Sequence, residues 1–219
     1  MRPGSSAVLS VLLLVASLPG LAQNKIEPLP ALADKSVSEA VRQALEAKGY
    51  RVLLDDGTNA CEIWLRKAIP VQPKKEAQGV AYPQLAEATL VGVLHFSQAS
   101  TDYRGQSVPA GYYTLRYALL PNDGNHLGVA PNRDFLLLIP ADSDADPAST
   151  IPYQELVKLS LKATGTKHPA PLSLLQADSG TAPAVSKDDQ DHWIFSAGLK
   201  LASGEEIPFA LVVKGTAQQ

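Results

Sequence analysis

The fold of this chain is decided by the stretch VPAGYYTLRYALL, residues 108–120. Pro109 fixes one backbone dihedral of a turn, and Gly111 supplies a conformation that other residues resist. From Tyr112 onwards the side chains alternate in type, which predicts a β-strand over residues 112–120. One face of that strand carries Tyr113, Leu115, Tyr117 and Leu119, and the other carries Tyr112, Thr114 and Arg116.

Further strands are predicted on both sides of this one. Apolar and alternating runs separated by turn residues indicate strands at 50–54, 60–67, 89–96, 135–139, 172–176, 192–201 and 207–214. Two short helices are expected, one from a capping box at Ser36 and Glu39 to Gly49, the other from Pro152 to Gly165. About seven short strands with so few helices predict a mainly β protein, an antiparallel β-sandwich or an open barrel.

The N-terminus has the pattern of a secretory signal peptide. Arg2 provides a positive charge, residues 7–18 form an unbroken apolar run, and Gly20 and Ala22 place small residues before a cleavage site. The alternative, a membrane anchor, is disfavoured because spanning roughly 30 Å of hydrocarbon takes about 20 apolar residues. We therefore expect residues 1–22 to be a signal peptide and 23–219 a single mainly β domain, exported to the periplasm or the extracellular space.

Composition excludes several classes of partner. The formal net charge of −3 and the absence of a basic run argue against nucleic acid and anionic lipid. No transmembrane segment is expected once the signal peptide is removed. The single cysteine, Cys61, leaves no internal disulfide, and its place on an apolar strand face favours a buried hydrophobe over a nucleophile.

Residues 103–115 resemble a hairpin of the exported bacterial proteins grouped as domain of unknown function 2911. The shared pattern is Pro-Ala-Gly-x-Tyr-x-Leu, here running from Pro109 to Leu115. A Trp-Arg-Thr-Gly type segment of that family is missing from this chain. The resemblance implies an exported β domain and no particular activity.

The long loop 121–134 carries the main candidate site residues, His126, Arg133 and Asp134. Such loops are often functional, and we predict that Arg133, with Tyr112, binds a polar ligand. The alternative is that these side chains only hold the turns of the loop. The four histidines show no local metal-binding spacing, but His126, His168 and Asp134 would form a metal site if they converged.

Two other features admit more than one interpretation. An alternating pattern typical of calcium ligands is formed by Asp142, Asp144 and Asp146. An EF-hand is excluded, because Pro147 and Tyr153 occupy the positions that need Gly and Glu. The remaining interpretations are a loose surface calcium site and a solvated acidic loop before a helix. Trp64 shares a strand face with Glu62 and Arg66, which predicts partial exposure.

No nucleophile elbow and no glycine-rich phosphate loop is present in the sequence. The sequence therefore favours a non-enzymatic binding domain of the bacterial envelope or periplasm, whose partner is a small molecule or an envelope protein. The alternatives are a metal-binding protein or metal-dependent enzyme that uses the loop histidines and carboxylates, with a metal as cofactor, and a purely structural envelope module.

The signal peptide has a direct test. Mass spectrometry of the protein recovered outside the cytoplasm should find Gln23 as its first residue, because cleavage follows Ala22. An intact N-terminus on protein confined to the cytosol would contradict this prediction.

Overall fold

The structure, a computed structural model, describes residues 25–73, 78–121, 132–177 and 180–217. The predicted signal peptide and His126 lie outside the described residues. Strands and helices are assigned in chain order as β1 Ile26–Pro30, α1 Glu39–Ala44, β2 Lys48–Leu53, β3 Asn59–Leu65, β4 Leu90–Phe96, β5 Ser100–Thr101, β6 Ser107–Val108, β7 Gly111–Leu119, β8 Asp134–Pro140, α2 Tyr153–Thr164, β9 Pro171–Leu175, β10 Ala184–Lys187, β11 Trp193–Lys200 and β12 Glu206–Lys214. A single 3-10 turn, Ala141–Ser143, follows β8.

Ten of these strands form one antiparallel sheet in the order β1-β2-β3-β4-β7-β8-β9-β12-β11-β10, and β5 pairs with β6 separately. The sheet curls until it is nearly closed into a barrel, so the mainly β, open-barrel prediction is confirmed. Several contacts join its halves across the curl, among them a β-bridge and an aromatic pair. Ile69 bridges Leu201, and the ring of Tyr50 on β2 lies 5.6 Å from that of Phe195 on β11.

The inner face of the sheet encloses the main hydrophobic core. Tyr113, Leu115 and Tyr117 of β7 point into it, as their alternation predicts, and so does Cys61. Complete burial raises the pKa of the Cys61 thiol far above its ordinary value, which keeps it protonated and unreactive.

The outer face is also largely covered. The segment around α1 packs on an apolar cluster that includes Val41, Trp64 and Val93. Helix α2 packs on a second cluster that includes Leu137 and Leu156. The prediction of a partly exposed Trp64 is wrong, because its indole lies under the α1 segment with 5 % exposure and donates to Pro30 O over 2.9 Å.

The first helix is shorter than the sequence predicts. Ser38 caps α1 by accepting from Val41 N, whereas Ser36 hydrogen-bonds Asp34. Gly49 does not end the helix but lies in β2, where the indole of Trp64 occupies the space that a Cβ would need. The second helix ends as expected, with Gly165 in the left-handed conformation at φ 66°.

A buried ion pair lies between the two outer clusters. Arg116 is completely buried on β7, and its Nε and Nη2 donate to the two oxygens of Asp144 over 2.8 and 2.7 Å. The remaining donors reach Ala88 O, Asp146 O and Ser149 O, and Thr114 Oγ1 donates to Asp144. Asp144 is therefore neither a calcium ligand nor solvated. It is the anion that neutralises a buried guanidinium.

Among the described residues, no helix combines the length and apolar character that crossing a membrane requires.

Removing the charge of Asp144 tests the structural role of this pair. We expect Asp144→Asn to lower the free energy of unfolding by about 3–5 kcal/mol, because it leaves the Arg116 charge buried without a counter-ion. The exposed Asp142 provides a matched control, and Asp142→Asn should change stability by less than about 0.5 kcal/mol. Urea unfolding measures both, and equal effects would contradict the role assigned to the pair.

Candidate ligand-binding site

Asp134 is a structural anchor in the fold. Its side chain is buried at the start of β8, where Oδ1 accepts from Tyr82 N over 2.9 Å and from Tyr117 Oη over 2.6 Å. Oδ2 accepts from Ala81 N over 2.7 Å. These bonds hold the buried Tyr82 against the core, and Tyr82 Oη in turn donates to Leu175 O. The Asp134 carboxylate thus fixes residues 81–82 over one end of the curled sheet.

The structure does not bring Asp134 and His168 together. His168 is exposed, and Ala170, two residues later, bonds to Leu138, which follows Asp134 by four residues on β8. At about 3.3 Å per residue, Asp134 and Leu138 are about 13 Å apart along the strand. The predicted metal site also needs His126, which lies outside the described residues. Within the described ranges, no group of three or more His, Cys, Asp or Glu side chains is placed to hold a metal ion.

The side chain of Arg133 is hydrogen-bonded to a neighbouring backbone carbonyl. Its Nε and Nη2 both donate to Leu120 O, over 3.0 and 2.8 Å. The guanidinium lines a shallow cleft of about 310 Å³ together with Glu87 and Tyr153. Its predicted role in ligand binding stays a prediction.

Tyr112 belongs to a polar row that crosses the outer face of five neighbouring strands. The row consists of Glu27, Arg51, Glu62, His95 and Tyr112, which are successive cross-strand partners. Arg51 donates to Glu62 over 2.8 Å, and His95 Nδ1 lies 3.0 Å from Glu62 Oε2. The Tyr112 ring stacks on the imidazole with centroids 4.1 Å apart. The row is a continuous network of partnered side chains.

Glu62 is the centre of that network. Its partial burial opposes ionisation, but the hydrogen bonds from His95 and Arg51 outweigh burial, so the pKa of Glu62 lies below its ordinary value. Because an ionised carboxylate only accepts, Nδ1 of His95 must carry the proton of their bond. The charged groups of the row therefore pair with one another.

A polar cleft of about 470 Å³ opens at the end of the curled sheet where β2, β4 and β12 end. Strands from both halves of the sheet contribute to it. Its polar lining is Thr58, Asn59, Gln98, Ser100, Thr101, Ser107 and Lys214, and its apolar lining is Leu54, Ala60 and Ala99. Ligand sites are common at the mouths of β-barrels, and this volume lies within the usual range for a small-molecule site.

Two polar groups of the cleft lack partners in the described part of the chain. Oδ1 of Asn59 is buried without a hydrogen bond. The ammonium of Lys214 is exposed and forms neither a hydrogen bond nor an ion pair with any described residue, although Asp56 interacts with it electrostatically. The carboxylate of Asp56 is itself bound to Thr58 N over 2.9 Å. The Lys214 ammonium is open to a ligand, whereas Asn59 Oδ1 has almost no accessible surface and is out of reach of a ligand in the cleft.

Sequence reasoning missed the cleft for a physical reason. Asn59 and Lys214 are far apart in the chain and sit at strand ends, where Asn and Lys are ordinary surface residues. Only the closure of the sheet brings β3 and β12 to one opening. The run of Ser, Thr and Gln at 97–107 was the available signal, because it is more polar than a strand connection needs.

Comparisons with known proteins add no further information on the site. No protein-family model, no curated protein and no solved structure matches the chain. The resemblance of residues 103–115 to domain of unknown function 2911 stays a prediction.

The network around Glu62 predicts a pH-dependent contribution to stability. Near neutral pH, Glu62→Gln should lower the free energy of unfolding by about 1–2 kcal/mol, because the hydrogen bonds to a charged acceptor are weakened. The pKa of Glu62 is lower in the folded state, so this contribution is fully present above about pH 4.3, the ordinary pKa of Glu, and is lost as the pH falls through the folded pKa.

Chemical unfolding of wild type and variant at several pH values measures this difference. The exposed Glu205 gives a control, and Glu205→Gln should have an effect below about 0.5 kcal/mol throughout. A loss for Glu62→Gln that stays constant down to pH values below the folded pKa would contradict the role of the carboxylate.

Proposed function

We propose that this protein is an exported, non-enzymatic binding domain that holds a small polar molecule in the cleft at the open end of its sheet. The observation that supports the proposal most strongly is the exposed Lys214 ammonium, which has no hydrogen bond or ion pair with a described residue and lies in a cleft lined by hydroxyl and amide side chains. Export is supported by the leader pattern of residues 1–22.

The composition of the lining supports binding over catalysis. The described residues that line the cleft supply hydroxyl, amide and ammonium groups, and none of them is a histidine, a cysteine or a carboxylate. General acid–base and nucleophilic mechanisms need a titratable group or nucleophile activated by a neighbouring group, and Lys214, the one titratable side chain of the described lining, has no hydrogen-bonded or ion-paired partner among the described residues. Hydroxyl and amide groups instead suit the hydrogen bonding of an uncharged or anionic polar molecule.

The rigidity of the surrounding fold also supports a preformed binding site. The outer face is covered by the segment around α1 and by α2, and the polar row across it is internally paired. At the opposite end, Tyr82 is buried and held by hydrogen bonds with Asp134 and Leu175. The packing around the sheet therefore supports a cleft that is formed before a ligand binds.

Blocking the cleft tests the proposal. Ala99 is exposed and lines the cleft, so Ala99→Trp should fill it without disturbing the core. Citrate, L-glutamate, gluconate and sorbitol serve as probes, titrated calorimetrically into protein that starts at Gln23. We expect at least one probe to bind wild type and to lose at least about tenfold in affinity for Ala99→Trp, which removes most of its contacts.

The control is Ala40→Trp, which adds the same side chain at an exposed position of α1, and it should bind the probe as wild type does. If no probe binds, or if binding to Ala99→Trp equals binding to wild type, the cleft is not the ligand site and the proposal fails.

A further inference from the structure

The geometry of the cleft points to a specific ligand class, and this inference rests on the proposed function. We propose that the ligand is a small aliphatic hydroxy acid, a molecule with one carboxylate and several hydroxyl groups. Lys214 would bind the carboxylate, and the hydroxyl groups would bind the side-chain hydroxyls and amides of the cleft.

The charge of the lining favours an anion. Lys214 is the one charged side chain among the described residues that line the cleft. Its ammonium has three N–H donors and no bonded acceptor within the described residues. The electrostatic partner beside it, Asp56, accepts from Thr58 N and forms no ion pair with Lys214. A ligand carboxylate would give the ammonium a charge-assisted hydrogen bond that the protein leaves unmade.

The hydroxyl and amide side chains of the lining favour a ligand with hydroxyl groups. A hydroxyl group both donates and accepts hydrogen bonds, which matches the side-chain hydroxyls of Ser100, Thr101 and Ser107. A simple carboxylate or an inorganic anion only accepts and would leave the acceptor capacity of these hydroxyls unused. The ligand therefore combines an anionic group with hydroxyl groups.

The described lining residues include no aromatic ring, and this narrows the class of ligand further. Proteins that hold sugar rings or bases commonly stack them on aromatic side chains. The described cleft residues include no Phe, Tyr or Trp, and the apolar lining consists of Leu54 and two alanines. An open-chain, hydroxyl-rich acid uses the hydrogen-bonding capacity of this lining without a stacking platform.

Three six-carbon probes separate the contribution of the carboxylate to the affinity from that of the hydroxyl groups. Gluconate has a carboxylate and hydroxyl groups, sorbitol has the hydroxyl groups alone, and hexanoate has the carboxylate alone. We expect gluconate to bind wild type about tenfold more tightly than sorbitol, the size of one charge-assisted hydrogen bond, and about tenfold more tightly than hexanoate, which lacks the hydroxyl groups. Lys214→Gln should reduce the affinity for gluconate to that for sorbitol and leave sorbitol unchanged.

Three further variants make the result specific. Lys214→Arg should keep the preference for gluconate over sorbitol, because it keeps the charge. Lys167→Gln removes an exposed lysine outside the cleft and should change no affinity. Thr101→Val removes an exposed hydroxyl of the lining and should weaken the binding of gluconate and sorbitol alike and leave that of hexanoate unchanged, since only the first two carry hydroxyl groups.

The outcomes distinguish this inference from the proposed function. If sorbitol or hexanoate binds wild type as tightly as gluconate, and Ala99→Trp still abolishes that binding, the ligand class is wrong and the cleft remains the binding site. If gluconate is preferred but Lys214→Gln binds it unchanged, the role of Lys214 is wrong. If none of the three probes binds in the cleft, this inference fails, and the proposed function then depends on citrate and L-glutamate.

Discussion

The fold depends on one buried ion pair, Arg116 with Asp144. A guanidinium with no exposure to solvent is costly, and this one is tolerated because the carboxylate and four further oxygen acceptors, from Ala88, Asp146 and Ser149, surround it. The pair fixes the segment after β8 against the middle of the outer face. On either side of the ion pair lie the two apolar clusters, one under the α1 segment and one under α2. The α1 segment and α2 are therefore both positioned relative to the same ion pair.

This arrangement leaves the open end of the sheet accessible to a ligand. The outer face is largely covered, and Asp134 fixes Tyr82 over one end of the core. The other end carries the cleft with Asn59 and Lys214, whose polar groups the described chain does not satisfy. The exposed ammonium of Lys214 is the group there that a ligand can reach.

The sequence predicted the strands because side-chain alternation is a local property. The hairpin 50–67 and the strand 112–120 follow from it directly, as does the placement of Tyr113 in the core. The sequence could not predict that Arg116 is buried, because its counter-ion lies in an acidic stretch that also fits a solvated loop. The edge strands β1 and β10 were missed since prolines and exposed residues weaken their alternation. The cleft depends on which strand ends meet, a property of sheet closure that no local pattern contains.

The central claim is that the open end of the sheet, and not the polar row on its outer face, is where a ligand binds. The most direct measurement is the two-dimensional amide NMR spectrum of isotope-labelled protein starting at Gln23, recorded during a titration with gluconate. The account predicts shifts at Thr58, Asn59, Thr101 and Lys214, with the amides of Arg116 and Asp144 unchanged. Shifts confined to His95, Tyr112 and their neighbours, or no shifts at all, would contradict it.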